Sequence, residues 1–385
     1  MIKDLVKKSV LDIQSYEPGR PISEVKRELR KKYGLLKLLP LMNIAKLVSN
    51  ENPLGPSRKA VDAMKKAAIA VNRYPDPFCH DILKALSEEL NVSPKNIILG
   101  NGSDEIIEFI LLTFLNEGEE AIMNHPSFML YEIATKIVGG KPVVVPLKDF
   151  KPDLNAMAAA ITPNTKLVFI DNPNNPTGRS VGEMEVEAFL EKLPDTAIAV
   201  FDEAYYDFVE REDFPDTIRY IASKNVIVLR TFSKAHGLAG LRIGYGIAGE
   251  TLIKYMKRTQ MPFNINTMAQ VAAIASLKDK EHIEDSKLVV SEGKQYLYGE
   301  MDNLGLKYVK SDTNFILIDL GAGRSGKDMF RKLIGEGVIV RDMDFYKMYS
   351  FIRVTVGTMP ENKKFIRGLK KILSGKWNGI EADLF

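Results

Sequence analysis

The length of 385 residues, the composition and the charge already exclude several classes of protein. A chain this long usually folds into two or three domains, each with a sizeable core. Hydrophobic residues make up 45% and charged residues 27% of the sequence, which excludes a mainly disordered chain. The 53 basic residues nearly balance the 50 acidic ones, so we expect neither a nucleic-acid partner nor an anionic membrane surface.

The N-terminal region and the cysteine content indicate a cytoplasmic protein. Residues 1–14 mix apolar and charged side chains and lack the apolar core of a signal peptide. The most apolar early stretch, residues 35–48, is interrupted by Lys37 and Pro40 and is too short to span a membrane. The single cysteine, Cys79, cannot form a disulfide within the chain, which is typical of a reducing compartment.

From about residue 95 the sequence alternates short β-branched runs with longer helical patterns. Seven runs predict strands: NIILG, EAIMNHP, KPVVVPL, KLVFIDNP, AIAVFDEAY, VIVLRTFSK and RIGYGIAG. Several are apolar on both faces, as expected when helices cover both sides of a mostly parallel sheet. We therefore predict an α/β fold, with a large domain over residues 49–280 that contains a mostly parallel seven-stranded sheet covered by helices.

The C-terminal part predicts a second, smaller domain. A long helical pattern from about residue 279 to residue 304 leads into strand patterns KYV, NFILIDL, VIVR and FIRVTVG, with two helical patterns among them. We assign residues 281–385 to a smaller α+β domain. The mainly helical N-terminal segment, residues 1–48, is expected to pack with it.

Ligands of open α/β sheets bind beyond the carboxyl ends of the strands, so the residues that follow each strand are the candidates for a site. Residues 101–105 (NGSDE) follow the first strand and precede an apolar helix. Gly102 permits a tight turn, and the free N–H groups of a helix start suit a phosphate. A plain helix cap explains the same residues.

Two further strand ends carry polar groups. The loop NPNNPTG, residues 172–178, has two prolines and a glycine that fix an irregular backbone and leave Asn175 as a rigid hydrogen-bonding group. Asp202 ends a strand that should be buried, and a buried carboxylate needs a cation nearby. That cation could be a structural partner or the ring nitrogen of a cofactor.

Basic residues follow the remaining strands. Lys234 ends an apolar strand, where burial disfavours its charged form and favours a neutral, nucleophilic amine able to form a Schiff base. Arg353 lies inside an apolar strand, and Arg341 ends another. An arginine stays charged and must find an anion, which could be a substrate carboxylate or phosphate or a structural Asp or Glu.

Other motifs point to different chemistry and are weaker. Residues 321–326 (GAGRSG) fit a dinucleotide-binding glycine pattern, but about 60 residues follow, too few for the two halves of such a domain. We interpret this segment as a loop of the small domain. The four histidines have no metal-ligand spacing, so we expect no metal site.

A phosphate cradle, an aspartate, a nucleophilic lysine and arginines at strand ends together fit pyridoxal 5′-phosphate. The chain resembles the fold-type I, pyridoxal-phosphate-dependent aminotransferases of class I/II, and most closely the histidinol-phosphate aminotransferases. The resemblance covers nearly the whole length. Its motifs are SNENPLGP (49–56), RYPD (73–76), NGSDE (101–105), NPNNPTG (172–178), DEAY (202–205), SK (233–234) with LAGLR (238–242), and RVTVG (353–357).

The resemblance implies roles for individual residues. Lys234 would bind the cofactor as a Schiff base and move the substrate proton, and Asp202 would keep the ring nitrogen protonated. Asn175 and Tyr205 would hydrogen-bond the phenolic oxygen, and Phe128 would stack on the ring, where the family more often has tyrosine. The residues that would surround the phosphate are Gly102, Ser103, Asp104, Ser233 and Arg242.

The resemblance also implies a homodimer with shared active sites, in which Tyr74 reaches the phosphate of the neighbouring subunit's cofactor. Arg353, Arg341, Tyr16 and Asn52 would bind the substrate. The function it implies is amino transfer between glutamate and imidazole acetol phosphate, the keto partner of histidinol phosphate. An aromatic or broad-specificity aminotransferase remains the alternative, and a pyridoxal-phosphate-dependent phospho-amino-acid decarboxylase is a more remote one.

Overall fold

The structure is a computed structural model that describes residues 2–11, 13, 27, 43–375 and 377. These residues form two compact units, a larger one of residues 2–11 and 55–284 and a smaller one of residues 43–54 and 285–375. Residues 2–11, which the sequence assigns to the small domain, lie in the larger unit. They are held there because Lys7 Nζ and Ser9 Oγ donate hydrogen bonds to the carbonyl oxygen of Ile137, at 2.9 and 3.3 Å. The domain limits at residues 48/49 and 280/281 stay a prediction.

The larger unit is built on one seven-stranded sheet. Its strands are β2 (Ile97–Gly100), β3 (Glu120–His125), β4 (Lys141–Pro146), β5 (Thr165–Asp171), β6 (Ile198–Asp202), β7 (Val226–Thr231) and β8 (Gly244–Ala248). They lie in the order β2-β8-β7-β6-β5-β3-β4. Of these seven strands, only β8 runs antiparallel to its neighbours. The predicted mostly parallel seven-stranded sheet is confirmed.

Helices cover both faces of this sheet. They are α1 (Lys8–Leu11), α2 (Arg58–Ala67), α3 (His80–Leu90), α4 (Ser103–Phe114), α5 (Leu130–Val138), α6 (Leu154–Ala159), α7 (Glu183–Lys192), α8 (Glu250–Met256) and α9 (Thr267–Leu277). Successive side chains of a strand point to opposite faces, so β5 feeds two cores. Val168 and Ile170 belong to one buried cluster, and Leu167 and Phe169 to the other.

The smaller unit contains a four-stranded antiparallel sheet in the order β12-β13-β10-β9 and a two-stranded parallel pair of β1 and β11. The strands are β1 (Ala45–Lys46), β9 (Lys307–Val309), β10 (Phe315–Asp319), β11 (Val338–Ile339), β12 (Arg341–Asp342) and β13 (Phe351–Thr355). Its helices are α11 (Gly326–Gly335) and α12 (Met359–Leu373), and α10 (Lys280–Asn303) contains the boundary between the units. Leu333, Ile334 and Phe365 bury the apolar faces of α11 and α12 in its core.

The topology places several loops along one edge of the large sheet. The loops that follow β2, β3, β5, β6 and β7 leave the carboxyl ends of parallel strands. Because β8 runs antiparallel, the residues that precede it lie at the same edge. This edge therefore gathers residues that are up to 140 positions apart in the chain, and it is where ligands of open α/β sheets bind.

Candidate active site

An anion-binding cradle lies at the start of α4. Gly102 precedes the helix with a φ of +82°, and a Cβ there would lie 2.3 Å from Arg242 Nη2. The guanidinium of Arg242 donates to Ser233 Oγ at 3.3 Å and to Asp104 Oδ2 at 3.2 Å. Ser103 is the first residue of the helix and is buried. Helix-start N–H groups, two hydroxyls and a guanidinium are donors that suit a phosphate, and all five predicted residues come together here.

Asp202 is a buried carboxylate at the carboxyl end of β6. Tyr131 Oη donates to its Oδ2 at 2.7 Å, and the backbone N–H of Ala204 donates to its Oδ1 at 3.1 Å. Burial raises the pKa of Asp202 to about 6, while these two donors and the positive charge of Lys234 oppose the rise. Asp202 is thus mainly ionised at neutral pH and is held in one orientation.

Lys234 is half-buried in the loop that follows β7. Its Nζ lies 5.4 Å from the centroid of the Tyr205 ring, which is buried. The tight turn behind Lys234 needs a glycine at Gly237, where a Cβ would come within 2.1 Å of the carbonyl oxygen of Gly55. The predicted nucleophile, the phenol and the carboxylate of Asp202 therefore belong to adjacent strand ends.

Asn175 and Phe128 are linked by a residue that the sequence reasoning missed. Asp171 ends β5 and is buried, and its Oδ2 accepts the backbone N–H of Asn175 at 3.0 Å and that of Phe128 at 3.3 Å. Burial raises the pKa of Asp171, while the N–H donors that its oxygens accept favour the carboxylate form. Asp202 was recognised in the sequence because it is a carboxylate at the end of an apolar strand. Asp171 has the same position at the end of β5, so the same signal was present there.

Tyr131 is the second residue that sequence reasoning missed. It lies on α5, is fully buried, and stacks on Phe169 with ring centroids 4.8 Å apart. Because its hydroxyl reaches Asp202, burial and the negative charge of Asp202 raise the pKa of Tyr131 well above its usual value. The tyrosine therefore stays a hydrogen-bond donor to the carboxylate.

The smaller unit carries the two predicted anion-binding arginines. Arg341 on β12 and Arg353 on β13 are directly opposite each other in the antiparallel pair, so their side chains lie on the same face. Arg353 is buried, donates from Nη2 to the carbonyl oxygen of Val48 at 2.9 Å, and has its guanidinium carbon 5.1 Å from the centroid of Phe315. Two cations on one face of a strand pair would favour an anion there.

Asn52 lies in the motif of residues 49–56, in the part of it that belongs to the smaller unit. Its Nδ2 donates to Ser286 Oγ at 2.8 Å, and its Oδ1 accepts the backbone N–H of Leu54 at 2.9 Å. These bonds give Asn52 a defined orientation within the smaller unit. Tyr16, the other predicted substrate residue, lies outside the described residues.

Tyr74 is 83% exposed on the larger unit. Its ring stacks on Phe263 with centroids 4.6 Å apart. The structure therefore places Tyr74 on the surface, and the other predicted cofactor residues lie at the strand ends.

The strand-end residues fit a phosphorylated aromatic ring with a basic nitrogen. The donors around Gly102 suit an anion, the buried carboxylate of Asp202 suits a cation, and the Lys234 amine lies 5.4 Å from the buried Tyr205 ring. Among the described residues no group of three or more His, Cys, Asp or Glu could hold a metal ion. No helix within that part of the chain is long and apolar enough to cross a bilayer.

Comparison with known families decides the membership of the chain. Residues 43–369 match the family of class I and II aminotransferases. The chain belongs to this family. A histidinol-phosphate aminotransferase of Moorella thermoacetica is 46% identical to this aminotransferase over 370 residues, which cover 96% of this chain and 93% of the relative. One of Caldicellulosiruptor saccharolyticus is 43% identical over 362 residues, with 94% and 98% covered.

A solved structure is similar to this aminotransferase over nearly all of its length. The histidinol-phosphate aminotransferase of Sinorhizobium meliloti in complex with pyridoxal-5′-phosphate matches it with a TM-score of 0.85 and 27% identity. The match covers 97% of this chain and 98% of the other. The predicted family and the predicted fold type I are confirmed.

Proposed function

We propose that this aminotransferase transfers the amino group between histidinol phosphate, whose keto partner is imidazole acetol phosphate, and the pair 2-oxoglutarate and glutamate. The observation that carries the proposal is the opposed pair of Arg341 and Arg353, because a substrate with a phosphate and a co-substrate with two carboxylates both need cations. Two relatives above 40% identity that carry this name support it.

The cofactor in this proposal is pyridoxal 5′-phosphate, which supplies an electron sink for the charge that develops at the substrate α-carbon. Its phosphate would bind at the start of α4, where Ser103, Ser233 and Arg242 offer donors. Phe128 would lie against the ring face, and Asn175 and Tyr205 would bind the phenolic oxygen. The fit described above supports this assignment.

Lys234 and Asp202 have the central chemical roles in this proposal. The amine of Lys234 would hold the cofactor at its aldehyde carbon and, once the substrate amine has displaced it there, would move the proton from the substrate α-carbon. Asp202 would keep the ring nitrogen protonated by placing a negative charge beside it. The hydroxyl of Tyr131 orients that carboxylate, since it donates to Oδ2 at 2.7 Å.

Substrate recognition in this proposal falls to two arginines, Asn52 and Tyr16. Arg353 would bind the glutamate α-carboxylate or the substrate phosphate as a two-pronged donor, and Arg341 the second anion. Asn52, whose orientation is fixed by Ser286 and Leu54, and Tyr16 would complete the contacts. Anionic substrates would thereby be favoured over neutral ones.

The proposed assembly is a homodimer in which Tyr74 contacts the cofactor phosphate of the partner subunit. Exposed apolar side chains near Tyr74 in sequence support an interface, since Ile69 is 91% and Phe78 70% exposed. Met261, close to the Phe263 ring that stacks on Tyr74, is 68% exposed. Such apolar exposure is typical of a surface that a partner covers.

A cytoplasmic location is proposed because the one cysteine, Cys79, suits a reducing compartment.

The experiment that tests the proposal is glutamate formation from L-histidinol phosphate and 2-oxoglutarate by protein loaded with pyridoxal phosphate. We expect turnover that needs the cofactor and falls by at least about a thousandfold in Lys234→Ala, because nucleophile and proton carrier are lost together. The visible absorption band of the bound cofactor should change in the same variant. Turnover without added or bound cofactor, or full activity of Lys234→Ala, would contradict the proposal.

A further inference from the structure

Asp171 is a buried carboxylate to which the proposed mechanism gives no role. It ends β5, is 3% exposed, and pairs in register with Asp202 at the end of β6. Three nitrogen atoms donate to it. One is the side-chain Nδ2 of Asn174, which lies 3.0 and 3.1 Å from its two oxygens.

The other two donors belong to residues assigned to the cofactor. The backbone N–H groups of Asn175 and Phe128 both donate to Oδ2, at 3.0 and 3.3 Å. Phe128 lies in the loop after β3, and Asn175 lies in the loop after β5. One oxygen atom therefore joins two loops that are separate in sequence.

The surroundings make this junction rigid. Asn174 is fully buried, and its Oδ1 accepts the backbone N–H and the hydroxyl of Thr177 at 3.2 and 2.6 Å. Its Nδ2 also donates to the carbonyl oxygen of Pro126, at 3.1 Å, in the loop that carries Phe128. Removal of the carboxylate would leave buried N–H donors unsatisfied, which a structure relieves by moving the loops.

We propose that Asp171 is a positioning residue for pyridoxal phosphate, whose Oδ2 sets both the height of the Phe128 ring and the reach of Asn175 toward the phenolic oxygen. The proposal rests on the roles of Phe128 and Asn175 given under the proposed function. Asp171 acts through these two residues and does not itself contact the cofactor.

The test is binding of pyridoxal phosphate to the full-length apoprotein without substrate. Two quantities are measured by absorbance: the Kd, and the pH midpoint of the visible band of the bound cofactor. In Asp171→Ala we expect the Kd to rise about tenfold, as for loss of one well-formed hydrogen bond. The midpoint should rise by about one pH unit. When the phenolic oxygen of the cofactor loses the hydrogen bond from Asn175, its negative charge holds the proton on the neighbouring Lys234 nitrogen more tightly.

Three further variants separate positioning from general destabilisation. Asp171→Asn keeps one oxygen for the two backbone donors and for Asn174 Nδ2, while its new amide nitrogen replaces the other oxygen that Asn174 Nδ2 contacts, so its Kd and midpoint should lie clearly closer to wild type than those of Asp171→Ala. Thr165→Val removes the hydrogen bonds of the buried Thr165 hydroxyl with Thr162 and Glu120, at the other end of β5, and should change neither quantity. Asp171→Ser, whose hydroxyl is too short to reach both donors, replaces the alanine variant if that protein does not fold.

Asn175→Ala distinguishes failure of this inference from failure of the assigned cofactor roles. Suppose that Asn175→Ala and Asp171→Ala each raise the midpoint. If the double variant has the same midpoint as Asn175→Ala alone, Asp171 acts through Asn175. If Asn175→Ala raises the midpoint and Asp171→Ala does not, the positioning role is wrong and the assigned role of Asn175 stands. If Asn175→Ala has no effect, the assigned cofactor role of Asn175 is wrong and the inference falls with it. If Asn175→Ala raises the midpoint but Asp171→Asn is as impaired as Asp171→Ala, the inference alone is overturned.

Discussion

At the scale of single residues, two buried carboxylates at neighbouring strand ends have different surroundings. Asp202 accepts one hydroxyl and one backbone N–H, while Asp171 accepts three nitrogen donors. Burial without such donors would cost several kcal/mol for each group. The donors to Asp171 belong to the loops around the site, so Asp171 fixes the positions of these loops. Asp202 accepts fewer hydrogen bonds from the protein and is the carboxylate suited to a ligand cation.

Asp202 predicts how cofactor binding depends on pH. Burial raises its pKa to about 6 in the free protein, so its carboxylate is protonated and loses its charge as the pH falls through that value. We expect the Kd for pyridoxal phosphate to rise by about tenfold more between pH 7 and pH 5 in wild type than in Asp202→Asn. The cofactor phosphate titrates equally with both proteins, so the difference belongs to Asp202. Parallel pH profiles would contradict its role.

The residues that the sequence revealed are those whose chemistry is unusual for their position. Lys234 and Asp202 follow apolar strands, where a charge is costly, and this made them visible. Tyr131 was missed because a tyrosine on an apolar helix resembles an ordinary core residue. Asp171 was missed because the interpretation of this strand end assigned the hydrogen-bonding role to Asn175 in the following loop.

At the scale of secondary structure, the start of α4 is the element that makes the anion cradle. Gly102 has φ +82° and ψ 169°, a conformation that is essentially confined to glycine. Arg242 crosses the position where a side chain of residue 102 would begin. Glycine at this position thus allows the backbone conformation and leaves space for the side chain of Arg242.

We expect Gly102→Ala to weaken pyridoxal phosphate binding by about tenfold or more, because the new methyl group displaces the guanidinium of Arg242. Stability should fall by about 1–3 kcal/mol from backbone strain. Gly118→Ala is the control, since Gly118 has the same φ of +82° but nothing near the new methyl group. Binding titrations and urea unfolding measure the two effects. Equal Kd values for both variants would contradict the cradle.

The patterns predicted the large-sheet strands well because each is a continuous apolar run. They predicted VIVR as one strand, and here the structure differs. Val338–Ile339 pairs with Ala45–Lys46, while Arg341–Asp342 pairs with β13. A sequence pattern records which residues are extended and apolar, whereas the partner of each residue depends on contacts distant in the chain.

At the scale of the whole molecule, the proposed homodimer makes a prediction about mixed subunits. Lys234→Ala and Tyr74→Ala damage the same site from different subunits if the sites are shared. A mixed dimer then contains one intact site and one doubly damaged site. Refolding the two variants together should add roughly a quarter of wild-type activity to what the separate variants retain, because about half of the dimers are mixed and each of these has one intact site. No recovery, with mixed dimers verified by mass, would contradict shared sites.

The fold class followed from the alternation of patterns, and the family from several motifs in order. The resemblance also implied the substrate, but the sequence did not show that Arg341 and Arg353 lie opposite each other, because this arises through strand pairing. Tertiary pairing of this kind joins residues twelve positions apart without any local signal.

The central claim is recognition of a phosphorylated substrate, and kcat/KM tests it directly. We would compare L-histidinol phosphate with L-phenylalanine, each with 2-oxoglutarate, in wild type and in Arg341→Gln. The account predicts a preference of about 100-fold or more for the phosphate, on the order of 2.7 kcal/mol, and a clearly smaller preference in the variant. Comparable wild-type rates, or a preference for phenylalanine, would contradict the substrate and leave a broad-specificity aminotransferase.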